Sequence, residues 1–320
     1  MNGSTTQTVL VTGATGFVGQ ALCAQLARHG YGVRAAVRRN GAASGMLAQE
    51  ILVGELDAHT DWVAALAGAA AVVHLAARVH VMDDQASDPL SEFRRVNVQG
   101  TLRLAQQAVQ AGVQRFVYIS SIKALGEATL VGQPFTEESP TQPSDAYGVS
   151  KLEAEQGLRD LAEQTGLEVV IIRPPMIYGP GVKANFAALM RAVKRGVPLP
   201  LGAVHNARSL VGLGNLVDFI VTCLVHPKAA NQTFMVSDGQ DLSTTALVRA
   251  MAQSAGVKVR LLPVPVWALK AAASLLGKGD AVQRLCGNLQ VDIAKARHLL
   301  DWTPPVTVVE GLRLSIGTGK

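Results

Sequence analysis

Between residues 8 and 173 the chain alternates short, almost wholly apolar runs with longer stretches whose apolar residues recur at helical spacing. Val9-Leu10-Val11-Thr12 predicts a first strand, and Phe17 to His29 a helix that stops at Gly30. Gly32 to Val37 predicts a second strand, Ile51 to Val53 a third, and Asp61 to Ala67 a short helix. Ala71-Val72-Val73-His74-Leu75 predicts a buried strand, and Pro89 to Ala111 a long helix ending at Gly112. Arg115 to Ser120 and Glu168 to Ile172 are further strands, on either side of a helix from Tyr147 to Gln164. Strands apolar on both faces and separated by helices predict an α/β fold, a doubly wound parallel sheet with right-handed crossovers.

After Arg173-Pro174-Pro175 the texture changes. Helical segments dominate, short strands are predicted at Ser209 to Val211 and Thr233 to Val236, and Pro and Gly are frequent between Gly179 and Gly202. This divides the chain into a larger domain over residues 1–175 and a smaller α/β domain over 176–320, which lies over the carboxyl ends of the strands and from which the chain can return to the larger one. With 320 residues, 48% of them hydrophobic and 17% charged, there is ample material for a core. The net charge of +5, the 4% aromatics and the lack of a Lys/Arg run argue against a nucleic-acid surface. Cys23, Cys223 and Cys286 are too few and too scattered for a disulfide framework or a zinc site, and are expected to be reduced thiols of a cytoplasmic protein. Met1 to Thr8 lacks a signal-like apolar core. The stretch from Val264 to Leu276 contains Lys270 and is too short to span a bilayer; an amphipathic core helix is expected there, with contact to a membrane surface as the alternative.

Gly13-Ala14-Thr15-Gly16-Phe17-Val18-Gly19 follows a predicted strand and opens a predicted helix. Glycines there permit a tight turn and a close backbone approach, and the helix N-terminus favours a pyrophosphate, so a Rossmann-type dinucleotide site is expected. The second strand ends in Val37-Arg38-Arg39, with Val37 where an NAD-selective site has an acid for the ribose 2′-hydroxyl. The missing carboxylate and Arg38 favour a 2′-phosphate, hence NADP(H); if both arginines are merely solvated, NAD(H) is the alternative. Tyr147 and Lys151 are four residues apart on one helix face, so the ammonium can stabilise the phenolate and tune the tyrosine for proton exchange with an alcohol or ketone. Ser120-Ser121 ends a strand on the side where ligands collect, and supplies a hydroxyl for the substrate oxygen. Lys123 is read as a solvated lysine, and Asn97 as a polar residue bonding backbone, with a direct catalytic role as the lesser reading. His74 and His80 have no third ligand at metal spacing, so packing or pocket lining is expected and no metal.

Together these residues resemble the extended short-chain dehydrogenase/reductase superfamily, in its nucleotide-sugar epimerase/dehydratase/reductase branch. The resemblance runs through Thr12 to Gly19, His74-Leu75-Ala76-Ala77, Val96-Asn97-Val98-Gln99-Gly100-Thr101, Ser120-Ser121, Tyr147 to Lys151, Arg173 to Gly181 and Leu300-Asp301-Trp302-Thr303-Pro304. It implies that Tyr147 is the general acid/base, that Lys151 tunes it and holds the nicotinamide ribose, and that Ser121, five residues before Gly126, orients the substrate oxygen. Gly13, Gly16, Phe17, Val18 and Gly19 would cradle the pyrophosphate, Glu55 and Leu56 would flank the adenine, and Leu75, Ala76 and Ala77 would pass beneath the cofactor. Asn97 and Pro174 would complete the cofactor site, and Asn185, Arg208 and Arg284 would contact the nucleotide diphosphate of a sugar substrate. Family members often form homodimers through the helices that carry Asn97 and Tyr147.

A dehydratase of the family has Asp-Glu beside its catalytic hydroxyl; here that stretch is Ser120-Ser121-Ile122-Lys123, so dehydration lacks its acid and base. A net reductase draws on NADPH, which suits Arg38. The expectation from sequence is therefore reduction of the C4 ketone of a UDP-linked 4-keto-6-deoxy (2-acetamido) hexose, similar to bacterial reductases of surface-polysaccharide synthesis. The alternative is an NAD-dependent UDP-hexose 4-epimerase. A non-catalytic NADP sensor and a steroid- or flavonoid-type ketone reductase are the remaining readings.

Overall fold

The computed structural model describes residues 7–79, 88–275, 277 and 279–316. Seven parallel strands form the main sheet: β1 (Thr8–Thr12), β2 (Gly32–Val37), β3 (Gln49–Leu52), β4 (Ala69–His74), β5 (Arg115–Ile119), β6 (Glu168–Arg173) and β9 (Gln232–Met235). Their order is β3-β2-β1-β4-β5-β6-β9. A second sheet pairs β7 (Met176–Tyr178) in parallel with β8 (Leu210–Gly212).

The near-continuous apolar strands follow from burial on both faces. Successive side chains of a strand point to opposite sides, and here each side meets helices. Val9 and Val11 of β1 join one core with Leu22 and Leu26 of α1 (Phe17–Arg28) and Phe219 and Ile220 of α7 (Leu213–Val225). Leu10, between them, joins the other core with Leu104 and Ala108 of α4 (Gly100–Gln110) and with Ala154 and Leu158 of α5 (Ala146–Thr165). A third core lies beyond the sheet. It unites Tyr178 and Leu210 with Phe186 and Met190 of α6 (Ala184–Lys194), Leu247 and Met251 of α8 (Thr244–Ser254) and Leu312 of α12 (Val308–Ile316).

The chain returns from this second lobe to the main sheet. Helix α7 packs on α1, β9 extends the sheet beyond β6, and α11 (Ala294–Leu300) packs against β9. The long helix read over Pro89 to Ala111 is interrupted: α3 (Pro89–Arg94) passes through a wide π-type turn, Arg95–Gln99, into α4. Such a turn inserts one residue and re-aims the side chains around it; here it leaves Asn97 only 1% exposed. The short α2 (Val63–Leu66) caps the Trp62 side of the sheet. Two further helices, α9 (Val266–Leu275) and α10 (Gly279–Cys286), pack on each other at the edge of the second lobe.

Candidate active site

Strand order reverses between β1 and β4, and in open α/β sheets the crevice beyond the carboxyl ends of such neighbours is the ligand site. A cleft of about 730 Å³ opens there. Its walls run from Arg38, Glu55 and Leu56 past the glycine turn and Leu75-Ala76-Ala77 to Ser121, Tyr147, Lys151 and Pro174.

The glycine turn is held by backbone proximity. Gly13 has φ +65, and a Cβ there would lie 2.8 Å from Ala76 N. A Cβ on Gly19 would lie 2.2 Å from Gly13 O and 2.7 Å from Ala14 Cα, so α1 can reach β1 this closely only through glycine. The first turn of α1 has no side-chain cap and no acidic residue. Its N–H groups and the positive end of its dipole therefore suit an anion, which is the fit a dinucleotide pyrophosphate requires.

The floor beneath is fixed by His74, a fully buried ring between two hydroxyls. Thr12 Oγ1 lies 2.6 Å from Nδ1 and Thr101 Oγ1 2.8 Å from Nε2. Ala76 N donates to the same Thr12 Oγ1 at 3.1 Å, tying the floor to β1. Burial, with the charge of Lys151 nearby, pulls His74 down to about 3, so the ring stays neutral. His80 lies outside the described residues. Among those described there is no group of three or more His, Cys, Asp or Glu placed to hold a metal.

At the far end Ser121 and Tyr147 line the cleft together, with Ser121 Oγ accepting from Lys123 N at 3.2 Å, while the Ser120 hydroxyl is turned away and donates to Glu155 Oε1. Three features hold the Ser121 segment against the start of α5. Asp145 caps the helix, accepting from Gly148 N at 2.7 Å. Lys123, read from sequence as solvated, ion-pairs with Asp145 and Glu127. Gly148 has no Cβ, and one would meet Lys123 O at 2.5 Å.

Tyr147 is pushed up to about 12, chiefly by burial; the Ser121 hydroxyl works the other way and Asp145 adds to the rise. The sequence reading expected Lys151 to lower this phenol. Instead Lys151, 2% exposed, donates from Nζ to Ile119 O at 2.7 Å and lies 4.3 Å from the centre of the Tyr118 ring. Burial lowers its amine to about 7 against the opposing pull of Glu155. The phenol therefore holds its proton at neutral pH.

Glu155, one helical turn beyond Lys151, went unremarked in the sequence. It is fully buried, and Arg173, itself 3% exposed, forks onto it at 2.9 Å from Nε to Oε1 and 2.6 Å from Nη2 to Oε2. Arg159 Nη2 adds a bond at 2.8 Å. Burial alone raises such an acid, but the bonds from Arg173 and Ser120 and the neighbouring guanidiniums hold it below the usual carboxylate range. No local spacing in the sequence marks this pair, whose members meet only where α5 packs on β6.

Asn97 does not face the cleft. Its Oδ1 accepts from Arg78 N at 2.8 Å, and its Nδ2 donates to Arg78 O and to Ser150 Oγ, so it braces the cleft wall against α5. The three residues assigned to a sugar diphosphate are not among those lining the cleft either. Asn185 is exposed in the first turn of α6 and Arg284 is exposed on α10. Arg208 Nη1 donates to Gly287 O at 3.0 Å, and burial lowers its guanidinium. Arg38 and Glu55 do meet at the adenosine end, as an ion pair of 3.8 Å whose side chains are each 72% exposed.

A doubly wound sheet, a glycine turn at its switch point and a Ser-Tyr-Lys set at the end of the crevice define a nicotinamide-dependent enzyme of the extended short-chain dehydrogenase/reductase type. The chain belongs to the NAD dependent epimerase/dehydratase family, which it matches over residues 9–237. It is 51% identical over 310 residues to a UDP-glucose 4-epimerase of Vibrio cholerae, covering 96% of this chain and 94% of that one. It is 29% identical over 318 residues to the N-acetyl-α-D-glucosaminyl-diphospho-ditrans,octacis-undecaprenol 4-epimerase of Escherichia coli O157:H7, covering 95% and 92%. The crystal structure of a UDP-N-acetylglucosamine 4-epimerase from Bacillus cereus shares the fold, with a TM-score of 0.81 at 21% identity over 98% of this chain and 100% of that one.

Proposed function

We propose that the protein is an NAD-dependent UDP-hexose 4-epimerase. The observation that carries this reading over net reduction is the 51% identity, across nearly the whole chain, to the Vibrio cholerae protein. Glu55 supports it. The carboxylate beside Arg38 repels a ribose 2′-phosphate and can accept from a 2′-hydroxyl, the role an acid at the end of the second strand fills in NAD sites. When bound, the dinucleotide supplies the hydride acceptor and donor.

The remaining steps belong to this chain's own side chains. The N–H groups of the glycine turn and α1 bind the pyrophosphate, and Leu75-Ala76-Ala77 support the ring from below. Ser121 orients the sugar C4 oxygen beside Tyr147. The phenolate of Tyr147, stabilised by charged Lys151, takes the C4 hydroxyl proton as hydride leaves C4. It returns that proton when hydride comes back to the opposite face. Glu155, held by Arg173, keeps a negative charge one turn below Lys151 and favours its charged form.

Reduction of a UDP-4-keto-6-deoxy (2-acetamido) hexose by NADPH is the second reading, favoured by Arg38 at the rim with Val37 in place of an acid. One experiment separates the two. Purified protein is incubated with UDP-glucose without added cofactor, and the nucleotide released on denaturation is identified. Formation of UDP-galactose with NAD released supports the epimerase. Stoichiometric NADPH consumption on a UDP-4-ketohexose, with no epimerisation, supports the reductase.

A further inference from the structure

The sequence reading placed a core helix near Val264 to Leu276, but α9 buries little. Trp267 is 74% and Leu275 89% exposed, and Leu262 just before the helix is 48% exposed. Trp267, Lys270, Ala271, Ser274 and Leu275 are all exposed and follow the i, i+3, i+4, i+7, i+8 spacing of one helical stripe. Val266 and Leu269, on the other side, pack towards the third core. A large indole and leucines exposed together on one short segment mark an interaction surface.

Lys270 on this stripe and the charge of the sequence on either side of it point to the partner. Between Asp241 and Asp292 the sequence has Arg249, Lys258, Arg260, Lys270, Lys278 and Arg284 against the single acid Asp280. That surplus of five equals the formal net charge of the whole chain. Of its 29 basic and 24 acidic residues, 23 of each remain elsewhere. The segment that carries the exposed indole is thus basic. A second copy of the chain docked through the same face would set two such surpluses against each other.

We propose that α9 seats the protein on an anionic lipid surface. Trp267 and Leu275 enter the headgroup region, and Lys270 extends its ammonium to lipid phosphates while its stem stays on the apolar side. At ten residues α9 is too short to cross a bilayer, so it lies in the surface plane. The attachment does not depend on which sugar reaction the cleft performs.

The full-length protein is co-sedimented with vesicles of phosphatidylcholine plus phosphatidylglycerol, and with phosphatidylcholine alone. Tryptophan emission is followed in parallel. Trp62 and Trp302 are 1% and 5% exposed, so a blue shift reports on Trp267. The expected result is salt-sensitive binding to the anionic vesicles with a blue shift. Lys270→Gln should lower the partition coefficient roughly fivefold, and Trp267→Ser with Leu275→Ser should abolish binding while NAD(P) affinity is kept. Failure to bind anionic vesicles, or equal binding by these variants, overturns the proposal. So does self-association that the Trp267→Ser change removes, which makes α9 a contact between copies. A blue shift induced by polyglutamate without lipid also overturns it, by assigning the face to an acidic protein.

Discussion

Replacing Lys151 with methionine should make the protein more stable while removing its turnover. The amine falls from 10.5 to about 7 on folding, chiefly through burial. That difference of about 3.5 units, at ~1.4 kcal/mol each, opposes folding by on the order of 5 kcal/mol wherever both states carry the proton, which is below about pH 7. Between the folded and unfolded values the unfolded chain binds the extra proton. Stability therefore rises with pH, by about 1.4 kcal/mol per unit, and the opposition vanishes above the unfolded value. Methionine fills a similar volume without the charge. It forfeits the bond to Ile119 O, a loss of about 1–3 kcal/mol, but does not orphan Glu155, which keeps Arg173, Arg159 and Ser120. A net gain of roughly 2–4 kcal/mol near neutral pH is left. Urea unfolding of both nucleotide-free proteins, from about pH 6 to about pH 9.5, reads the difference directly. It should be largest at the acid end and shrink steadily above pH 7. A methionine variant less stable than wild type at pH 7, or a pH-independent difference, would refute the argument that charge burial at Lys151 is a cost accepted for chemistry.

Tyr147→Phe should lower kcat by about 10²–10⁴-fold, the range of general acid–base catalysis, with cofactor affinity intact; near-normal turnover in steady-state kinetics would remove Tyr147 from its role. Gly19→Ala forces a Cβ to within 2.2 Å of a backbone oxygen, so calorimetric titration should show nucleotide affinity lost; an unchanged Kd means that the turn relaxes freely. Arg173→Met strips the fork from a fully buried carboxylate and should cost about 3–5 kcal/mol in denaturant unfolding. Adding Glu155→Met should recover much of that, and a double variant as unstable as the single one would place the loss in packing rather than charge.

The dinucleotide-binding half was legible because its signals are local. Glycines at fixed intervals after a strand, and a tyrosine and lysine one turn apart, need only neighbouring sequence to be read. The structure sets all of them around one cleft. The Glu155–Arg173 pair was not legible. Its members are 18 residues apart on a helix and a strand, and only the packing of α5 on the sheet brings them together. Likewise, nothing within Val264 to Leu276 told which face of α9 had a neighbour, because that depends on where the second lobe ends. The π-type turn at Asn97 hides inside a stretch of ordinary helical spacing. Arg38 shows the same limit at the site itself. Its position at the rim was readable, but its pairing with Glu55 joins the ends of two strands.

The placement of β9 as the last strand of the main sheet bears on how the chain is made. Residues 1–175 emerge from the ribosome well before Gln232–Met235, and until then β6 has an open edge ready to pair with any other strand. Phe219, which packs on Phe234 of β9, must wait longer for its other ring partner, Trp302, which arrives later still. The nucleotide-binding half therefore cannot complete itself during synthesis, and must wait, with an apolar flank uncovered, for nearly the last helix of the chain. The two lobes are consequently not interchangeable cassettes: a fusion or truncation cut near Pro175 should yield an aggregating fragment rather than a smaller nucleotide-binding protein.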